Sequence, residues 1–234
     1  MNKVFYVVAT PIGNLDDITL RALEVLKKVD LILCEDTRHS KILLQHYHIN
    51  TPILSYHQHS RLQKTNYIIK QVADNKTIAL ITDAGTPGIS DPGNKLVKQL
   101  LQHFVNQSSL QNNQQIKIIP IPGPSAVTTA LSVSGLPTDH FIFWGFLPTK
   151  KRKQQILENI SQSKYTSIFY ESPHRLIKTI KIIAPLINDR KIIVFRELTK
   201  KFETIYRETG NTILDNLSQI KIKGEFVVAI EAKK

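Results

Sequence analysis

Short apolar runs alternate with amphipathic helical stretches along the whole chain, and that alternation leaves few folds open. Lys3 to Ala9, Leu31 to Cys34, Ile53 to Ser55, Thr77 to Ile81 and Ile116 to Ile119 read as strands. Thr19 to Lys28, Arg38 to His46 (capped by Thr37) and Arg61 to Ala73 read as the helices between them, with Asp91 and Pro92 opening a further helix that ends near His103. The polar stretch Asn106 to Gln115 buries no face and reads as a surface loop. Pro120-Ile121-Pro122-Gly123-Pro124 then reads as an extended linker that divides the chain into domains 1–119 and 120–234. Beyond it the helices Ser125 to Ser134, Lys151 to Ser161, Pro173 to Ile187 and Asn211 to Gln219 alternate with the strands Phe141 to Gly145, Thr166 to Tyr170, Lys191 to Glu197 and Phe226 to Ile230. Phe202 to Glu208 alternates like an edge strand. The expected fold is α/β throughout.

The most informative loop is Asp83 to Gly93, DAGTPGISDPG, between an apolar strand and a helix. In open α/β sheets ligands bind beyond the carboxyl ends of strands. A cap at Asp91 and Pro92 accounts for the end of this loop. It leaves Gly85-Thr86-Pro87-Gly88 unexplained, and long loops in compact domains are usually functional. Three more glycine- or proline-bearing loops follow strands: Ala9 to Leu15, Ile121 to Ser125 and Glu171 to Arg175. None carries a phosphate-binding or dinucleotide-binding glycine pattern, which disfavours ATP hydrolysis and dinucleotide chemistry.

Charge bears on partners. The chain holds 31 Lys and Arg against 19 Asp and Glu, a net +12, enough to attract polyanions through the summed field. The run Lys150 to Lys153, with Arg190, Lys191, Arg196, Lys200, Lys201 and Arg207, concentrates cations in the second half. A single cysteine, Cys34, lies in an apolar strand and reads as a buried small hydrophobe in a reducing compartment. No run approaches a membrane span and the amino terminus lacks a signal-peptide pattern, so a soluble cytoplasmic protein without membrane contact is expected. His46/His48 and His57/His59 are pairs that one strand face could present, but no thiol joins them and no metal site is expected. Glu35-Asp36 stands at a strand end, where either site chemistry or a helix cap places carboxylates.

The stretches Ala9 to Ser40, Ile81 to Gly93 (ITDAGTPGISDPG), Ile121 to Pro148, Phe169 to Leu176 (FYESPHRL) and Arg196 to Lys200 (RELTK) together resemble the tetrapyrrole-methylase superfamily. Within it they are similar to the branch that methylates the ribose of a cytidine in bacterial 16S ribosomal RNA. The likeness spans nearly the whole chain. It implies two α/β domains with S-adenosylmethionine in a cleft between them, a homodimer, and the decoding region of the small ribosomal subunit as substrate. Many members of that branch continue into a small helical extension beyond the stretch corresponding to Phe226 to Ile230, so any RNA contact made there falls outside these residues. The resemblance also leaves a tetrapyrrole or other small molecule as the alternative methyl acceptor.

Carried over by position, the resemblance implies cofactor contacts from Pro11, Ile12, Gly13, Gly85, Thr86, Pro87, Ile89, Ser125, Thr128, Thr129 and Tyr170. Backbone amides of the glycine loops suit the cofactor's carboxylate and ribose, and Ile12, Ile89 and Tyr170 suit its adenine. A ribose hydroxyl is a poor nucleophile and gains from a base or a charge stabiliser. Glu35, Asp36 and Glu197 are the first candidates for the base and Lys200 for the stabiliser, with Glu171 and Arg196 behind them. Asn14, Arg38, Lys151, Arg152, His174 and Arg175 are expected to hold the RNA.

Overall fold

The computed structural model describes residues 3–57, 62–108, 115–149, 152–219 and 222–233. The chain forms two compact units, Met1–Ser125 and Ala126–Lys234.

The first unit holds the strands β1 (Lys3–Val8), β2 (Leu31–Cys34), β3 (Ile53–Ser55), β4 (Ile78–Leu80) and β5 (Ile116–Ile121), and the helices α1 (Leu20–Lys28), α2 (Thr37–His46), α3 (Leu62–Ala73) and α4 (Asn94–Ser108). All strand pairs are parallel, in the order β3-β2-β4-β1-β5. The two-residue period of the strands sends alternate side chains to opposite faces. Val8, Ile32, Cys34, Ala79 and Ile81 meet Ala22, Leu26, Leu43 and Leu44 of α1 and α2. Phe5, Leu33, Ile78 and Leu80 meet Ile68, Val72, Leu96, Leu100 and Phe104 of α3 and α4. Since α2 leaves β2 toward β3 over one face and α4 leaves β4 toward β5 over the other, the adjacent strands β2 and β4 form a topological switch. A crevice opens beyond the carboxyl ends of such a pair.

Three local readings change. Asp36, rather than Thr37, caps α2: its side chain accepts from the Arg38 amide. Helix α4 begins at Asn94 instead of Asp91 and runs to Ser108, into the stretch expected to be a loop; 109–114 lie outside the described residues. Strand β5 continues through Pro120 to Ile121, which pair with Val7 and Val8. Proline is tolerated there because β5 is an edge strand with no ladder partner on its outer side. The first unit consequently runs past the expected linker.

The second unit holds α5 (Ala126–Ser132), β6 (Phe141–Phe146), α6 (Arg152–Gln162), β7 (Thr166–Glu171), α7 (Pro173–Ile187), β8 (Lys191–Arg196), β9 (Thr204–Thr209), α8 (Ile213–Ser218) and β10 (Phe226–Ile230). Its sheet is mixed, ordered β6-β7-β10-β8-β9, with β6 and β7 parallel and the other pairs antiparallel. The last strand, buried along its full length, inserts between β7 and β8. Phe169, Ile192, Val194, Phe226, Val228 and Ile230 face Leu157, Ile160, Leu176, Ile180, Ile183, Ile187, Ile213 and Leu217 of α6, α7 and α8. Strand β9 is an edge strand, as its alternation suggests.

Candidate functional site

The loops after β1, β4 and β5 meet at one edge of the first sheet. Thr10 and Gly85 exchange two backbone hydrogen bonds, 2.9 and 3.1 Å, in an isolated antiparallel bridge. Thr10 Oγ1 donates to the Thr82 carbonyl at 3.1 Å, and Thr86 Oγ1 donates to the Pro124 carbonyl at 3.2 Å. Gly85 has φ of 78°, open to glycine and strained for other residues. A side chain at Gly123 would stand 3.0 Å from the Ala9 Cβ. Backbone therefore lies bare and close-packed where these loops join. Ile12 is buried and Ile89 is 44% exposed. Gly13 is exposed, Pro87 is buried, and Asn94 Nδ2 donates to the Gly88 carbonyl at 2.7 Å, fixing the end of the loop. Of the expected cofactor residues, Pro11, Ile12, Gly13, Gly85, Thr86, Pro87, Ile89 and Ser125 thus share the first unit. Thr128 and Thr129 stand on α5, and Tyr170 stands on β7 in the second.

Beside these loops, the switch between β2 and β4 gathers carboxyl groups. The Asp36 amide donates to Asp83 Oδ1 at 3.1 Å, tying the two strand ends. Glu35 is half-buried; burial pushes its carboxyl up, the Asp83 charge adds to that, and His57 opposes it. Asp91, which sequence reasoning assigned to a cap, instead sits half-buried near Glu35 and Asp83. Burial first, and those two charges next, push it up to about 6. Its sequence position gave no warning: a DPG triplet before a helix is an ordinary cap signal. Only the extra turn that delays α4 to Asn94 frees the carboxyl. Asp36 has a different fate. Its carboxylate accepts from the Arg38 side chain at 2.7 and 3.1 Å and from the Arg38 amide at 2.8 Å, which hold it well below the usual carboxylate range. The structure gives Asp36 and Arg38 to the start of α2.

The other catalytic candidates form a clasp after β8. Lys200 Nζ bridges Glu197 Oε1 at 3.1 Å and Glu225 Oε2 at 2.8 Å, and the Glu225 amide donates to Glu197 Oε1 at 2.8 Å. Burial would raise the Glu197 carboxyl, but the Glu225 amide and Lys200 outweigh it and hold it low. Burial would lower Lys200; its two carboxylate partners raise it instead. Glu197 and Thr199 both have positive φ, 55° and 64°, so the clasp fixes a strained connection.

The FYESPHRL motif builds a buried ion cluster. Glu171, at the end of β7, accepts from Arg175 Nε at 3.1 Å, from Lys153 Nζ at 3.3 Å and from the Ser172 amide at 2.9 Å. Thr179 joins it, and Arg175 also donates to the carbonyls of Leu147 and Pro148. Of the expected RNA contacts, Arg175 is thereby committed to protein. Asn14 caps the turn Leu15–Asp17, His174 and Arg152 are exposed, and Lys150 and Lys151 lie outside the described residues. His46 ends a helix, so it does not share a strand face with His48; His59 lies outside the described residues. Among the described residues no group of three or more histidine, cysteine or carboxylate side chains is placed to hold a metal. No described helix is long and apolar enough to cross a membrane.

The family model for tetrapyrrole (corrin/porphyrin) methylases matches residues 4–214. The chain belongs to that family. Within it, a protein of Synechocystis named Ribosomal RNA small subunit methyltransferase I is 45% identical over 97% of this chain and 78% of its own length. Proteins of the same name from Haemophilus influenzae and Bacillus subtilis are 45% and 42% identical, covering 100% and 97% of the chain and 80% and 75% of their own lengths. The solved methyltransferase CobJ is similar in fold, with a TM-score of 0.70 at 15% identity, covering 99% of this chain and 95% of its own. So is a uroporphyrin-III C-methyltransferase from Thermus thermophilus complexed with S-adenosylhomocysteine, with a TM-score of 0.63 at 14% identity, covering 98% and 97%. At such identities these tetrapyrrole-methylase structures speak for the fold alone, two α/β units.

Proposed function

We propose that this chain is a cytoplasmic, homodimeric S-adenosylmethionine-dependent methyltransferase that modifies the 2'-hydroxyl of a cytidine in the decoding region of small-subunit ribosomal RNA. The observation that carries the reading is near-full-length identity of 42–45% to rRNA small subunit methyltransferases from distant bacteria. A basic chain of net +12 suits a polyanionic substrate.

The junction of the loops after β1, β4 and β5 fits the cofactor. Glycine at Gly85 and Gly123 lets the three loops close on one another, against Ile12 and Ala9, and the exposed Ile89 offers apolar surface for adenine at their junction. Pro11 to Gly13, Gly85 to Pro87 and Ser125 would hold it from the first unit. When bound, the cofactor supplies a methyl carbon activated by a sulfonium. The protein's part is positioning, which is worth up to about 7–11 kcal/mol, and removal of the hydroxyl proton.

For that proton, Glu35 and Asp91 are the suited groups. A base works best with its pKa near the operating pH, and burial among like charges lifts both carboxyls toward it. Asp36 and Glu197, held low by their partners, are poor proton acceptors, and Lys200 serves the clasp.

The decisive experiment incubates purified protein with methyl-labelled cofactor and small ribosomal subunits, or their free RNA, from cells lacking the modification. Label in a cytidine 2'-O-methyl supports the reading. Absence of transfer to both forms sinks it.

A further inference from the structure

The carboxyl ends of β6 and β7 carry an aromatic cluster in which Tyr170 is an expected cofactor contact, while Phe143 and Phe146 have no part in the proposed chemistry. Strand register pairs Phe143 with Ile168 and Phe146 with Tyr170, so three steps on β6 answer two on β7. The extra residue is a bulge, with Gly145 at φ of 63°. Bulges re-aim side chains and gather beside functional sites. Without it, Phe143 and Phe146, three apart, would point to opposite faces. With it, both rings reach Tyr170 edge-on, at centroid distances of 5.0 and 5.2 Å. Trp144, by contrast, packs against the core under α6 and α7.

The result is an exposed ring on a rigid base. Phe146 is 57% exposed, an unfavourable placement for a phenylalanine that water alone would face. Its support is fixed on two sides. Tyr170 pairs with Val227 in the centre of the sheet. The segment leaving Phe146 is held by Arg175 at the carbonyls of Leu147 and Pro148, and Arg175 is itself anchored on Glu171. The chain then enters α6 through the exposed Arg152. An exposed aromatic face held in place on a chain of net charge +12 is the arrangement that takes an unstacked base of single-stranded nucleic acid.

We propose that Phe146, supported by Tyr170 and Phe143, stacks on a splayed base of the RNA substrate and so selects single-stranded RNA at the target. The inference rests on the rRNA reading above. Its partner chemistry is a planar nucleobase, which both the RNA strand and the cofactor's adenine possess, and the test separates the two.

Binding of a fluorescently labelled decoding-region fragment of small-subunit rRNA is measured for the unsubstituted protein and for Phe146→Ala, Phe146→Leu and Phe146→Trp, over a range of salt. Affinity for S-adenosylhomocysteine is measured by calorimetry and assembly mass by light scattering. Phe146→Ala is expected to weaken RNA binding roughly 10-fold, Phe146→Leu to do the same with apolar volume kept, and Phe146→Trp to restore it. The salt slope should hold, because stacking releases no counterions. Cofactor affinity and assembly mass should not change. If Phe146→Ala fails to fold, Phe146→Leu carries the test. Unchanged RNA binding overturns the proposal, as does a selective loss of cofactor affinity, which assigns the ring to adenine, or a change of assembly mass, which assigns it to a contact between copies. If the unsubstituted protein neither binds nor methylates the RNA, the rRNA reading itself falls and this inference with it.

Discussion

Thr10 and Gly85 lie 75 residues apart and are joined by two reciprocal backbone hydrogen bonds, with Thr10 Oγ1 reaching the Thr82 carbonyl alongside. This bridge brings the loops after β1 and β4 into one surface. It depends on Gly85 adopting a positive φ. A Cβ at that position has room, 3.4 Å from Ile12 Cγ2, so substitution acts through the backbone. Gly85→Ala should cost about 1–2 kcal/mol of stability and weaken S-adenosylhomocysteine binding more than RNA binding. Calorimetry on both ligands checks it; equal cofactor affinity would remove the loop from the cofactor site.

Asp91 carries a penalty for ionising. Its folded value, about 6, lies above its ordinary 3.8. For a group raised on folding, the stabilisation is complete below the unfolded value and is lost as pH rises through the folded one. Stability should therefore fall between about pH 4 and 6. Asp91→Asn should flatten that fall and raise stability at pH 7 by about 1 kcal/mol, allowing for solvent screening at a half-exposed group. That is a melting shift of about 2–4 °C, and thermal unfolding across the pH range tests it.

The same carboxyls set an activity profile. If Asp91 takes the hydroxyl proton, kcat/KM at saturating cofactor should fall about tenfold per unit as pH drops below about 6; if Glu35 does, the fall should set in above the ordinary glutamate range. Of Glu35→Gln and Asp91→Asn, the one that replaces the base should lower kcat at pH 7.5 by roughly 10²–10⁴-fold, with cofactor affinity retained. A pH-independent rate in both variants and in the unsubstituted protein would acquit them.

Glu171 neutralises Lys153 and Arg175 in a fully buried position. Glu171→Gln leaves two cations facing each other with one carboxamide, and should cost about 3–5 kcal/mol. Urea unfolding measures it. A loss under 1 kcal/mol would mean that water already screens the cluster.

Much of this molecule is written in local sequence. The α/β class follows from periodicity, and β2, β3, β10 and α7 have the bounds that their apolar runs and Pro173 dictate, because hydrophobic period and proline geometry act within a few residues. The loops that gather at the first sheet are legible too, since glycine and proline mark turns directly. Other features depended on distant neighbours. Pro120 lies in a strand because that strand is an edge, and Asp91 loses its cap because α4 starts three residues later. Arg175 leaves the surface for Glu171 and two carbonyls. The Gly145 bulge turns Phe146 outward only through its register with β7. Motif spacing marked where chemistry belongs. Which carboxyl stays paired and which keeps its proton was decided by what the folded chain packs beside it, because burial and neighbouring charge are properties of three dimensions.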